Sequence, residues 1–264
     1  MARATVRETI DELARDPLHN VVLLKQLLSF PDHVRVHRAT GSRGTATLVA
    51  LDVSASAYDR HAYPDARIAA FIASDHPDLT ASLLSHLPDR TGIVFKLSRP
   101  DDLAAVERRF AVTRRTAFIS FTSSCPVVPA LVESEPVVRV VSALDDATFD
   151  LLEAQGHERC WLEPRLRDGK AFACVLERDD GVASACFAFE NFDPVWEVGG
   201  VLTVPSHRRR GHATRVVRRA LAELADRRLT PRYQVEEGNL PSIRLAESVG
   251  LVPFVTIAHY AHAC

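Results

Sequence analysis

Hydrophobic positions along the chain fall into short runs and single stripes separated by turn residues. In the first half the pattern predicts helices over residues 5–14 and 20–29. In the second of these Val21, Leu24, Leu27 and Leu28 share one face at the 3.6-residue spacing of an α-helix. Strands follow at 34–39 and 45–53, joined by a turn from Gly41 to Gly44, and at 67–73, after which Asp75 can cap a helix reaching Leu87. A strand at 92–97, a helix at 101–109 and a long strand at 110–121 complete this half.

The second half reads as a strand at 137–141 and a helix at 145–155, with two aspartates in the first turn where the dipole favours them. Strands at 171–177 and 182–189 are joined by Asp179-Asp180-Gly181, a good hairpin turn. Then come a strand at 197–204, a helix at 211–227, a strand at 232–236, a helix at 239–248 and a strand at 252–260. One antiparallel hairpin followed by β-α-β-α-β is an α/β arrangement with a mixed sheet. Between the halves, residues 122–136 carry three prolines and three serines with no helical or strand period, which reads as an extended linker. The expected domains are therefore 1–121 and 137–264.

Composition narrows the function classes. The 264 residues are 25% charged and 47% hydrophobic, with a net charge of −2. Such a balance excludes a strongly basic nucleic-acid coat or an acidic tail protein. No apolar run approaches the roughly 18 residues of a membrane span. The first sixteen residues lack the apolar segment of a signal peptide, so a cytoplasmic location is expected. Five widely spaced cysteines without a C-x-x-C read as small buried hydrophobes, not as a disulfide framework or zinc site. His259, His262 and Cys264 near the chain end read as a frayed terminus, and no metal is expected.

The chemistry concentrates in residues 201–224. A strand ends at Val204, Pro205 and Ser206 break it, and Arg208-Arg209-Arg210-Gly211-His212-Ala213-Thr214 opens a helix. Ala213, Val216, Val217, Ala220, Leu221 and Leu224 form a single apolar stripe on that helix. A helix start offers unpaired N–H groups and the positive end of the dipole. Gly211 lets the backbone approach a bulky anion, Ala213 keeps the approach open, and the arginines add forked donors. The junction suits a polyphosphate. An alternative, a nucleic-acid patch along Arg208–Arg219, is disfavoured by the balanced net charge and the absence of interleaved aromatics.

Arg208-x-x-Gly211-x-Ala213 after such a strand resembles motif A of the GNAT acyltransferases. Asn239-x-x-Ser242-x-x-Leu245, with Gly250-Leu251 downstream, is similar to the family's motif B. The resemblance covers about half the chain. It implies that an acyl-coenzyme A, in the first place acetyl-CoA, binds through its pyrophosphate to the amides around Arg208–Thr214. It also implies that Leu202, Thr203 and Val204 pair with the pantetheine arm, and that Asn239 and Ser242 lie near the cofactor. The first half, with its opening DPLHNVVLLKQLL, resembles the N-terminal part of tandem GNAT proteins such as the glycine N-acyltransferase-like group. It departs from the motif at Ser74-Asp75-His76-Pro77-Asp78, where two aspartates would repel a phosphate. A degenerate domain that no longer binds coenzyme A is expected there. The fold class is thus α/β with two GNAT-like domains, each a mixed, mostly antiparallel twisted sheet flanked by helices.

The implied activity is N-acetyl transfer to an amine, small-molecule or peptide, entering between the domains. No nucleic-acid or membrane partner is expected. An amine with a pKa of roughly 10.4 needs a base. The resemblance to the histone-acetylating branch assigns that role to Glu197, eleven residues before Arg208, with Glu190 and Glu236 as weaker candidates. The Gly199-Gly200 pair beside it suits a bulge that splays the strand from its neighbour. The N–H of Leu202 or its neighbour is the expected oxyanion donor. The family's tyrosine acid has no counterpart, since its position is Ala246. Tyr233 and Tyr260 read as core or edge residues, and Ser242 as a residue that places a water. The missing acid leaves open a non-catalytic acyl-CoA sensor.

Overall fold

The computed structural model describes residues 5–123 and 137–262. Most of the expected linker, together with Cys125 and Cys264, lies outside the described residues. The chain divides into two compact units, residues 1–119 with 255–264, and residues 120–254. The last ten residues therefore group with the first unit and not, as the expected 137–264 domain had it, with the second.

In the first unit, helices α1 (Val6–Leu13) and α2 (Pro17–Ser29) open the chain. Thr5 and Glu8 cap α1 reciprocally, and Asp16 caps α2 ahead of Pro17, whose fixed φ suits a first helical turn. Val21, Leu23, Leu24 and Leu27 are buried, whereas Leu28, expected on the same stripe, is exposed. Strands β1 (Val34–Gly41) and β2 (Gly44–Asp52) form the hairpin. Helix α3 (Ala57–Ala62), which the hydrophobic pattern does not announce, precedes β3 (Ile68–Ser74). Helix α4 (Pro77–Leu84), β4 (Ile93–Leu97), helix α5 (Pro100–Glu107) and β5 (Thr113–Ser123) follow. Strand order here is β1-β2-β3-β4, with β3 and β4 parallel. The far end of the last strand pairs antiparallel with β4, from Ala258 opposite Leu97 to His262 opposite Ile93. The chain end at His259 and His262 is thus ordered strand, which corrects the expectation of a frayed terminus. Ala46, Leu48, Ala50, Ile72, Phe95, Val106 and Phe110 make one core under α4 and α5.

The start of α4 is closed by its own chain. The His76 ring accepts from the Asp78 N–H at 3.2 Å, and Arg43 pairs with Asp78 at 2.7 Å. Asp75 is not the cap: it accepts from the Thr45 N–H at 2.7 Å. The sharp turn after β3 aims that carboxylate back at the hairpin, and the next residue takes the helix end.

The second unit contains β6 (Val138–Val141), helices α6 (Asp146–Glu153) and α7 (Arg159–Arg167), β7 (Ala171–Arg178), β8 (Gly181–Phe192) and β9 (Val195–Thr203). Helix α8 (His212–Asp226), β10 (Thr230–Glu236), helix α9 (Leu240–Ser248) and the start of β11 (Leu251–His262) complete it. Strand order is β10-β9-β8-β7-β6, antiparallel except for the β9–β10 pair. Phe149, Leu152, Leu162 and Leu166 of α6 and α7 pack on one face against Ala173, Phe187, Phe189 and Leu202. Val216, Val217, Ala220, Leu221 and Leu224 of α8 are buried as the stripe requires, while Ala213 is only half-buried. Cys174 and Cys186 are buried, but Cys160, on α7, is exposed. No helix among the described residues is long and apolar enough to cross a membrane.

Polar groups buried in the first unit form a linked set. Lys96 pairs with Asp59 at 2.6 Å, and the Lys96 ammonium lies 4.6 Å from the Phe71 ring centroid. The Tyr63 hydroxyl meets His259 Nδ1 at 2.5 Å. Burial, and secondarily the Lys96 charge, lowers the His259 pKa to about 3. An unfolded histidine protonates near roughly 6.5. Between these values the unfolded chain binds the extra proton, so stability falls as pH drops through that window, by at most about 1.4 kcal/mol per pH unit. Urea unfolding between pH 4 and 7 should show a shallower pH slope for His259→Phe than for the wild type. Equal slopes would remove His259 from the acid sensitivity.

Candidate active site

The site grows from the way β9 and β10 part. Their parallel register covers Thr230 opposite Val195, Pro231 opposite Trp196 and Arg232 opposite Glu197. Beyond that pair the described ladder stops, although β9 runs on to Thr203 and β10 to Glu236. On its other side β9 slips against β8: Phe187 faces Gly199, while Ala185 faces Leu202. Two steps on β8 therefore match three on β9, which is the bulge expected at Gly199-Gly200. Gly200 has φ +59°, and a Cβ there would stand 2.0 Å from the Phe187 ring. Glycine is required because the bulged backbone lies directly against an aromatic ring.

A charged cluster holds the point of divergence. Arg232 is 2% exposed and forms an ion pair with Glu197, which is 15% exposed. Asn191 donates to the same Glu197 oxygen at 2.7 Å, and Arg232 also donates to Ser120 at 3.1 Å. Neither Arg232 nor Asn191 was singled out from sequence. An arginine in a strand gives no signal until its cross-strand neighbour is known. His157, between α6 and α7, stands edge-on to Phe187 with ring centroids 5.0 Å apart. Burial lowers its pKa and leaves the imidazole neutral, while the Glu197 charge acts in the opposite direction.

At the far end of β9 the chain makes a single 3₁₀ turn, Pro205–His207, and then the arginine loop. His207, almost fully buried, reaches Asp180 of the β7–β8 turn at 2.9 Å, which pins the loop to the hairpin. Arg208 Nε returns to the Thr203 carbonyl at 3.1 Å. Arg209 and Gly211 both take positive φ, 61° and 75°. Alternating hands along a loop turn successive N–H groups toward one side. Gly211 is the N-cap of α8, and no side chain caps this helix. A Cβ on Gly211 would meet nothing within 4 Å, so the loop faces open space.

A cavity of about 440 Å³ occupies the gap. Strand β9 contributes Val201, Leu202 and Thr203, and the loop contributes Arg208, Arg209 and Gly211. His212 and Ala213 line it from α8, and Asn239, Pro241, Ser242 and Leu245 from α9. Gln155 and Tyr233 complete the wall. Of the expected cofactor residues, Val204, Arg210 and Thr214 lie outside this lining, as does Glu197. Asn239 caps α9, its Oδ1 accepting from the Ser242 N–H at 3.2 Å. His212 keeps an unpartnered, buried Nδ1, and burial with Arg215 nearby lowers its pKa. The cradle therefore presents uncapped amides and two arginines, which fits a phosphate-bearing ligand.

The family model described as "Acetyltransferase (GNAT) family" matches residues 135–251. That span holds the bulge, the arginine loop and α9. That span, fewer than half of the residues, resembles the GNAT acetyltransferases and is named the GNAT domain for it. The fold likeness extends beyond the GNAT domain. A Drosophila protein is 16% identical, with 100% of this chain and 97% of that one covered at a TM-score of 0.61. A tandem GNAT protein from the clavulanic acid biosynthesis pathway is 14% identical, with 98% and 94% covered at 0.58. A GCN5-related N-acetyltransferase from Kribbella flavida is 16% identical, with 93% and 95% covered at 0.57. At these identities the likeness is one of fold. No curated protein matches the chain.

The two glycines of the bulge in the GNAT domain should respond differently to a methyl group. Gly200→Ala meets both the ring and the left-handed backbone, a loss of roughly 2–4 kcal/mol. Gly199→Ala finds its nearest atoms at 3.9 Å and should change stability by less than about 0.5 kcal/mol. Thermal melting of both variants checks this. Equal losses would mean that the bulge does not depend on Gly200.

Proposed function

We propose that the GNAT domain binds an acyl-coenzyme A, with acetyl-CoA the simplest donor, and transfers the acyl group to an amine. The observation that carries this reading is the cavity at the fork of β9 and β10, with an uncapped helix start and two arginines at its polar end. The pyrophosphate would lie against the Arg208–Ala213 loop. The pantetheine arm would run beside Leu202 and Thr203, whose neighbouring strand has turned away. The N–H of Leu202 or its neighbour at the bulge is the proposed oxyanion donor.

The amine must lose a proton before or as it attacks. Glu197 supplies negative charge at the fork, but accepting a proton itself would leave Arg232 charged and unpaired in the interior. His157 is a neutral imidazole within reach of the Glu197 charge, so in this reading it takes the proton while Glu197 stabilises the imidazolium that forms. With acetyl-CoA and pooled primary amines, His157→Gln should lower thiol release by roughly 10²-fold or more and leave the melting temperature nearly unchanged. Glu197→Gln should lower turnover and also destabilise the fold by about 3–5 kcal/mol. Wild-type turnover in His157→Gln would return the base to another group.

Coenzyme A should raise the melting temperature with ligand concentration, because it binds the folded state. Gly211→Asp places a carboxylate in the proposed phosphate site and should remove that rise, while Gly211→Ala should keep part of it. An unchanged rise in Gly211→Asp would move the cradle elsewhere. A rise in the wild type with no amine turned over would make the domain a binding module.

A further inference from the structure

Ala246, where the family resemblance would put a tyrosine acid, is fully buried and has no proton to give. The cavity nevertheless has a phenol in its wall. Tyr233, the first residue of β10 beyond the Arg232–Glu197 pair, lines it although the residue is only 3% exposed. Its hydroxyl lies 2.7 Å from Ser242 Oγ, and Ser242 also lines the cavity. Ser242 is held in place by its N–H bond to the Asn239 cap. The phenol thus belongs to the residue next to the fork, and the serine hydroxyl links it to a second residue of the cavity wall. A tyrosine placed only for packing needs neither the cavity face nor a serine partner with a cavity face of its own.

We infer that Tyr233 is the proton donor to the departing thiolate of the acyl donor, with Ser242 as the relay that restores the proton. This rests on the acyl-transfer reading above. The amine nitrogen forms a C–N bond to the thioester carbonyl, and its surplus proton leaves to the base. The C–S bond then breaks with its electron pair on sulfur. The Tyr233 O–H proton passes to that sulfur, and the phenolate recovers a proton from water through the Ser242 hydroxyl. The products are an amide and a free thiol. Burial holds the Tyr233 pKa above its ordinary value, against the Ser242 hydrogen bond, and Cys186 on β8 acts in the same direction as burial. The phenol therefore stays protonated, ready to donate, across neutral pH. The other titratable groups of the lining are Arg208, Arg209 and His212 at the phosphate end.

The test uses coenzyme A itself as the probe and needs no acceptor. A phenol donating to sulfur favours the thiolate. Followed by its ultraviolet absorbance, the thiol of coenzyme A bound to wild-type protein should ionise at lower pH than when bound to Tyr233→Phe, and Ser242→Ala should fall between them. Melting with coenzyme A is measured on the same samples. A retained melting shift in Tyr233→Phe with an unmoved thiol titration would overturn the proton donor and leave the binding reading intact. No melting shift in the wild type would overturn the acyl-CoA reading first. In turnover with pooled amines, Tyr233→Phe should lose roughly 10- to 100-fold with acetyl-CoA. An acetyl thioester of a strongly acidic aromatic thiol leaves without a proton, so the deficit should shrink with it. An equal deficit with both donors would count against the assignment.

Discussion

Everything in the second unit turns on the ion pair that closes the β9–β10 ladder. Arg232 and Glu197 face each other at the last paired position, and both lie largely out of water. Taking two such charges from solvent costs several kcal/mol per ion, which is recovered only when the geometry and the remaining hydrogen bonds are good. Asn191 and Ser120 supply two of those bonds, while Arg232 Nε and Asn191 Oδ1 stay buried without a partner. The pair therefore fixes where the strands touch and, by the same act, where they stop touching. Past it the backbone edge of β9 is free for a ligand, and Tyr233, the next residue on β10, comes into the gap.

The divergence needs a second device on the opposite edge. Parallel strands tend to stay paired, since each unpaired N–H and C=O left dry is costly. The bulge against β8 bends β9 away, and Gly200 makes it possible because nothing larger than hydrogen fits between that backbone and Phe187. The arginine loop is then held at a fixed distance by two tethers, Arg208 to Thr203 and His207 to Asp180. Binding in such a trough pays little ordering entropy, because its walls are set before any ligand arrives.

Much of this was legible in the sequence wherever a local rule dominates. The α8 stripe, the Asp179-Asp180-Gly181 hairpin turn and the paired glycines each express a constraint of a few neighbouring residues. Helix α7 was not legible. Pro164 sits inside it, and only Leu162 and Leu166 of its residues are fully buried, so no helical period appears. Helix α3 is too short to show one. The site followed the same division. The proposed phosphate end depends on consecutive residues and could be read from Arg208 to Ala213. The proposed reacting end depends on residues brought together by pairing: Glu197 with Arg232, Tyr233 with Ser242, and His157 edge-on to Phe187. Glu197 drew notice as a lone carboxylate, and its clamp on Arg232 could not be foreseen without the register.

The pairing of β11 with β4 sets an order on synthesis. Residues 93–97 present one edge of their strand to residues 258–262, more than 150 positions later in the chain. While the ribosome makes the intervening segment, that edge has open N–H and C=O groups and no partner of its own. The intervening residues 120–254 form a unit with their own core. That unit can fold first, and the earlier-made unit gains its last strand only when residues 258–262 emerge. An edge left open for so long is a place where nascent chains can add strands to one another. Conditions that slow translation of the second half should therefore burden the first half's solubility more than its own.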